Sequence, residues 1–213
     1  GWERLPNSDL TGQFDAFARH QAREMLAGRL PLWSAGSFGG IPFVADVQAA
    51  VFYVPRWVTV FASAPWGFSY YALELEALLH IWCIGVLVYF LAYDVMVEGQ
   101  TGVNLEQTRW GALVPAVMVG LGGYVTGYPL LQLAVLETFT WLPLVLLLIR
   151  KGTAGSRYTS RFLLLAGLIL ALAFTAGHPQ TFLHISYVAT FYYLFRAWQA
   201  GWGWGKMLGY GGL

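Results

Sequence analysis

Apolar residues dominate this chain in long runs, and polar residues gather near its start. Five stretches, at about 67–94, 110–127, 129–149, 161–177 and 180–198, approach the roughly 20 mainly apolar residues that a membrane-crossing helix needs. Pro115, Pro143 and Pro179 fall within or beside them, where neighbouring helices can satisfy freed carbonyls. Pro129 suits the first turn of a helix, which loses no internal bond to it. Residues 1–66 differ. Leu10, Phe14, Phe17, Ala18, Met25 and Leu26 recur near helical spacing, with Arg19, Gln21, Arg23 and Glu24 between them. This pattern predicts one amphipathic helix over 10–28, with Ser8 or Asp9 placed to cap it. A turn-rich loop follows, containing Pro31, Gly36, Gly39, Gly40 and Pro42. Residues 46–62, with Phe52, Tyr53 and Trp57, predict a second helix lying at an interface. No segment repeats at a fixed period.

The expected architecture is therefore all-α: a polytopic transmembrane helical bundle of about five spans over 67–213, under a long extracytoplasmic first loop over 1–66. The polar start and the interfacial 201–210 lead us to expect that the bundle is incomplete, with a further helix before residue 1.

Composition strengthens this picture. Of 213 residues, 57% are hydrophobic and only 11% charged, against about 25% charged in a soluble domain. Too few polar groups remain to cover a water-exposed surface. The 10 Trp and 12 Tyr suit aromatic belts at membrane–water interfaces. A net charge of +1, with no basic stripe, gives no case for a nucleic-acid partner. A lone Cys83 excludes an intrachain disulfide.

Charge placement predicts orientation. Arg150, Lys151, Arg157 and Arg161 share one short loop with no acid, which should be cytoplasmic. Alternating outward from it puts 1–66, 124–128 and 177–180 outside, and Arg196 and Lys206 inside. The inner loop at 95–109 sets Glu98 and Glu106 against Arg109 and decides nothing.

The candidate chemistry then falls on one face. Asp9 and Asp15 read either as a general base or cation ligand, or as carboxylates complementing a helix N-terminus. Asp46, with Gln48, reads as a second site acid or as another cap. Arg29, four residues before Trp33, suits a phosphate, or snorkels beside an aromatic anchor. His178 and Gln180 suit a polar substrate or cap a turn. Glu74, Glu76, His80 and Glu137 lie in apolar runs, where ionisable groups face a bundle interior or cavity; Glu76 and His80 share a helix face and can pair. There is no Cys/His metal spacing, phosphate loop or nucleophile elbow.

The run Gly28-Arg29-Leu30-Pro31-Leu32-Trp33-Ser34, then Phe38-Gly39-Gly40-Ile41-Pro42-Phe43, Ala45-Asp46-Val47-Gln48 and Phe52-Tyr53-Val54-Pro55, resembles the first outer loop of YfhO-type membrane proteins of the GT-C glycosyltransferase superfamily. Leu79-His80, Trp141-Leu142-Pro143-Leu144 and Gly177-His178-Pro179-Gln180 follow in matching order. Ser34-Ala35-Gly36 departs from an Asn-Pro pair usual there. The resemblance implies a multi-pass protein of a prokaryotic plasma membrane that takes sugar from a polyprenyl-phosphate donor on the outer face. It implies Asp9 as catalytic base, with Asp15, Arg29, Trp33, Asp46, Gln48, His178 and Gln180 around the substrate. The cofactor is left unknown, with a divalent cation as the candidate. Alternatively, the chain is a non-catalytic transmembrane subunit of a larger membrane complex. A transporter would call for a second half in inverted order, which the sequence lacks.

Overall fold

The computed structural model describes residues 9–36, 39–98, 102 and 104–212, most of them helical and none in a strand. A π turn at Leu10–Phe14 runs straight into α1 (Asp15–Leu26). Then come α2 (Val54–Ser63), α3 (Tyr70–Val97), α4 (Leu105–Gly120), α5 (Gly123–Thr126), α6 (Tyr128–Leu131), α7 (Leu133–Phe139), α8 (Leu142–Thr153), α9 (Thr159–Thr175), α10 (Pro179–Gln199) and α11 (Trp204–Gly211). Phe38, in the first-loop run, and Ser8, the alternative cap, lie outside the described residues.

The predicted amphipathic helix is present. Leu10, Phe14, Ala18, Ala22 and Met25 are buried. The first three join one apolar cluster with Tyr70, Leu73 and Ala77 of α3 and Leu133 and Ala134 of α7. Fully burying a side chain such as Phe14 contributes about 1.5–3 kcal/mol. Leu26 stays exposed, and Phe17 meets Phe43 edge-on at 5.4 Å between ring centres. Gly28, at φ 74, ends the helix in a conformation that suits a residue without Cβ. The chain then doubles back, and Ser34 and Ile41 exchange backbone hydrogen bonds, both at 2.9 Å.

The second helix departs from expectation. It spans Val54–Ser63 rather than 46–62. Val47–Ala49 forms only a 3₁₀ turn, and Ala50 takes a left-handed conformation at φ 50, which stops it from continuing. Pro55, lacking an N–H, belongs in the first turn of a new helix.

Two helical segments are long and apolar enough to cross a membrane: Tyr70–Val97, with mean hydropathy 2.0, and Leu133–Thr153, with mean hydropathy 1.8. Only 22% of the most apolar stretch of α3 is buried, against 61% for the other. A soluble core helix would hide that surface; here Leu75, Leu78, Leu79, Trp82 and Phe90 are exposed. The other three expected spans fall short. Thr159–Thr175 has 17 residues, and Pro179–Gln199 is long enough but not apolar enough. The stretch expected at 110–127 ends as α4 at Gly120. Gly122, Gly123, Gly127 and Pro129 then break the chain into α5 and α6, with Pro129 in the first turn of α6. Pro143 and Pro179 likewise start helices, so only Pro115 is interior.

Ion pairs fasten both ends of α3. At its start, Arg56 of α2 reaches Glu76 through Nε at 2.9 Å to each oxygen, and Glu137 of α7 through an Nη at 2.9 Å. All three are almost completely buried. At its other end, Arg150 meets Asp94 at 2.7 Å and Glu98 at 2.6 Å; Lys151 also pairs with Asp94, and Arg196 clamps Glu98.

Replacing Arg56 with Met should strand two buried carboxylates and destabilise the fold by about 3–5 kcal/mol. Thermal unfolding of the purified protein in detergent reads this, and an unchanged midpoint would rule out Arg56 as the tie.

Candidate functional site

The buried ties decide where the polar residues of the first segment sit. Next to Arg56, Trp141 Nε1 donates to the Tyr53 hydroxyl at 3.0 Å, and Tyr53 lies 2.6 Å from His80 Nε2. His80 Nδ1 lies 2.7 Å from the Glu76 backbone carbonyl. A carbonyl only accepts, so Nδ1 carries the proton and Nε2 accepts from Tyr53. The expected pairing of His80 with the Glu76 carboxylate is therefore corrected: that carboxylate is taken by Arg56. Burial, first, and the Glu137 charge, second, push the Tyr53 hydroxyl well above its ordinary range.

These contacts press the 46–53 segment onto the bundle. Gly177 packs so closely on Val47 that a Cβ there would collide with the Val47 carbonyl, and its φ of 90 disfavours a side chain as well. The loop before α10 and the Asp46–Gln48 turn are thus one surface. Gln13 joins it: its Nε2 donates to Gln48 Oε1 at 2.6 Å. Asp9 stands four residues earlier on the same helix, about 6 Å along the axis. A small cavity of ≈ 120 Å³ opens beside them between Asp46, Phe52, Phe174 and Pro179.

Each candidate now has a place. Asp46 is a cap, accepting from Gln48 N at 2.9 Å. His178 is a cap too, its Nδ1 accepting from Thr181 N at 3.1 Å. Gln180 is exposed on the first turn of α10. Asp15 is bound by Arg19, at 2.9 and 3.0 Å. Asp9 is exposed, and its carboxylate makes no capping bond to the helix.

Arg29 lies elsewhere, and Trp33 packs on the loop that precedes Asp46. Arg29 follows the far end of the helical run that starts at Leu10, and a rise of about 1.5 Å per residue puts that end about 25 Å from Asp9. Its Nε is held by Glu24 at 2.9 Å, a hydrogen bond that keeps the Glu24 carboxyl below the usual carboxylate range. The Trp33 ring is stacked over Gly40, whose added Cβ would meet it at 2.7 Å. The structure thus gathers Asp46, Gln48 and His178, with Asp9 one turn along the helix from Gln13; Asp15 is taken up by Arg19, and Arg29 lies at the far end of that helix. Among the described residues, no three His, Cys, Asp or Glu side chains gather as a metal cage.

Arg56, Gln13 and Asp94 were not singled out from sequence, and Tyr53 and Trp141 were named there without a polar role. Arg56 carried a readable signal: it is the only Lys or Arg between Leu30 and Thr108, ahead of two acids in apolar runs. Comparisons with protein-family models, with curated proteins and with solved structures found no match to this chain.

Burial of the ring, and then the nearby charge of His184, hold His178 below the ordinary imidazole range. Its neutral form is the capping form. The unfolded chain takes up this proton near pH 6.5, before the folded chain does, so the contribution of His178 is complete above that pH and is lost as pH falls through the lowered folded value. Thermal midpoints measured from pH 8 to pH 5 should fall in the wild type and fall less in His178→Asn, where the cap does not titrate. Parallel curves would exclude the cap as the sensor.

Proposed function

We propose that this chain is part of a multi-pass membrane glycosyltransferase that works on the extracytoplasmic face with a polyprenyl-phosphate sugar donor. The membrane part rests on exposed apolar helices and on charge. Glu76 and Asp94 are separated on α3 by about 27 Å of helical rise, close to the roughly 30 Å hydrocarbon thickness. A fully buried ion cluster lies near one level and a partly exposed one near the other. The inner cluster neutralises Asp94 and Glu98, so the cations of that end set the orientation.

The observation that carries the catalytic part is Asp9. It is an exposed acid that does not cap its helix, at the start of a π turn, one turn before the Gln13 that bonds Gln48. π turns occur frequently at functional sites. In this mechanism Asp9 takes the proton of an acceptor hydroxyl. The acceptor oxygen bonds to the anomeric carbon as its bond to the lipid phosphate oxygen breaks, and the polyprenyl phosphate leaves with the electron pair. Charge grows on that phosphate and calls for a cation. Arg29 is too distant to be that cation for Asp9, so it serves as an interfacial anchor with Trp33.

That separation of Arg29 from Asp9 favours a second reading, a non-catalytic membrane subunit of the same helical design. Turnover of polyprenyl-phosphate sugars by the full-length protein separates the two. The enzyme reading expects Asp9→Asn to lose at least about a hundredfold in rate with an unchanged thermal midpoint. Equal turnover removes Asp9 from the base role, and no turnover with any donor leaves the subunit.

A further inference from the structure

The inner end of the helices holds a second polar feature that plays no part in glycosyl transfer. A cavity of ≈ 510 Å³ opens there among Glu98, Thr153, Arg196, Gln199, Trp202 and Lys206. Three features make it a site for an anion. First, Arg196 reaches it from α10 with both terminal nitrogens on Glu98, at 2.6 and 3.0 Å, while its Nε is buried with no hydrogen-bond partner. A guanidinium cannot shed that proton, and a buried donor without an acceptor is a cost that a bound acceptor removes. Second, Lys206 lies over the Trp202 ring, its Nζ 4.2 Å from the centre, and forms no ion pair among the described residues, although Glu98 lines the same cavity. Third, the surrounding charge is positive. Arg150, Lys151, Arg196 and Lys206 face two carboxylates, Asp94 and Glu98, and both are already ion-paired. Glu98 is held by Arg196, first, and by Arg150, so that its carboxyl stays below the usual range and its charge is spent within the cluster.

We propose that this pocket binds the phosphate of an anionic lipid headgroup. Arg196 Nε and Lys206 Nζ are the donors, with the Gln199 amide at the rim. The choice of a lipid phosphate follows from position. The pocket sits where the helices end on the side that the charges make cytoplasmic, the leaflet whose anionic headgroups attract basic pockets between helices. Exposed Trp198 and Trp204 flank it and suit the headgroup level. The proposal rests on the membrane reading of the chain and not on its catalytic reading.

The test uses the full-length protein in detergent, given phosphatidylglycerol or phosphatidylcholine and examined by native mass spectrometry. Phosphatidylglycerol should be retained preferentially. Lys206→Glu, an exposed position outside the ion cluster, should reduce that retention about tenfold. Arg161→Glu reverses an exposed charge at the same end but outside the pocket, and should leave retention unchanged. Equal loss in the two variants would overturn the pocket in favour of general surface charge. Equal retention of phosphatidylcholine would overturn the anion preference. Full displacement of phosphatidylglycerol by excess inorganic phosphate would overturn the lipid assignment and mark a free-phosphate site.

Discussion

One arginine sets the arrangement of the end at which α3 begins. Burying a guanidinium costs several kcal/mol unless it is paired with good geometry, and Arg56 is 2% exposed. Its partners come from two different helices, Glu76 on α3 and Glu137 on α7. Only one registration of α2 against the other two satisfies all three groups. The adjacent chain from Trp141 through Tyr53 to His80 adds a second, directional condition on the same segment. Apolar packing alone would tolerate slippage of a short helix such as Val54–Ser63. Fixed donors and acceptors do not, because a displaced buried partner is left unsatisfied.

From that registration follows the placement of everything near Asp9. Holding residues 50–56 against α3 and α7 brings Val47 onto Gly177, and Gln48 onto Gln13. The candidate surface is therefore assembled from three separate parts of the chain by contacts beneath it, and its polar residues touch little of the core themselves. The opposite end follows the same logic with different residues. Asp94, 56 positions from Arg150, ties α3 to α8, and Glu98 ties both to α10. Between the two clusters α3 is largely apolar and mostly half-buried or exposed. Such a helix is specified at its ends and left plain along its length.

The sequence made some of this legible. The recurrence of Leu10, Phe14, Ala18 and Met25 marked a helix and its buried face, because side-chain period is a local property. Gly28 and Pro129 marked a stop and a start for equally local reasons. The start of α2 was not legible from the aromatic pattern at 46–62, since Phe52, Tyr53 and Trp57 look the same in a 3₁₀ turn as in a helix; Pro55 was the better guide. The capping alternatives for Asp46 and His178 depended on φ and ψ, which residue type does not fix. Ion pairs between helices left almost no trace. Glu76 and Glu137 announced a missing cation, and Arg56 was the only one in range, but nothing in its spacing pointed to either acid.

The same distinction explains why Asp9 differs from its neighbours. On a regular α-helix, a stripe of every fourth residue drifts by about 40° per step. Over Leu10, Phe14, Ala18 and Ala22 it would wind roughly a third of the way around the helix. A π turn, bonding five residues apart, is wider and rewinds part of that drift. Placed at Leu10–Phe14, it lets Leu10 face α3 and α7 along with Phe14 and Ala18. Asp9, one residue before Leu10, is turned away from that face and stays exposed. Asp15, within the regular helix, instead finds Arg19 one turn on. The acid at the start of the segment is thus kept at the surface by the device that buries the residue next to it, and a substitution that converted the π turn to α-helix would move both together.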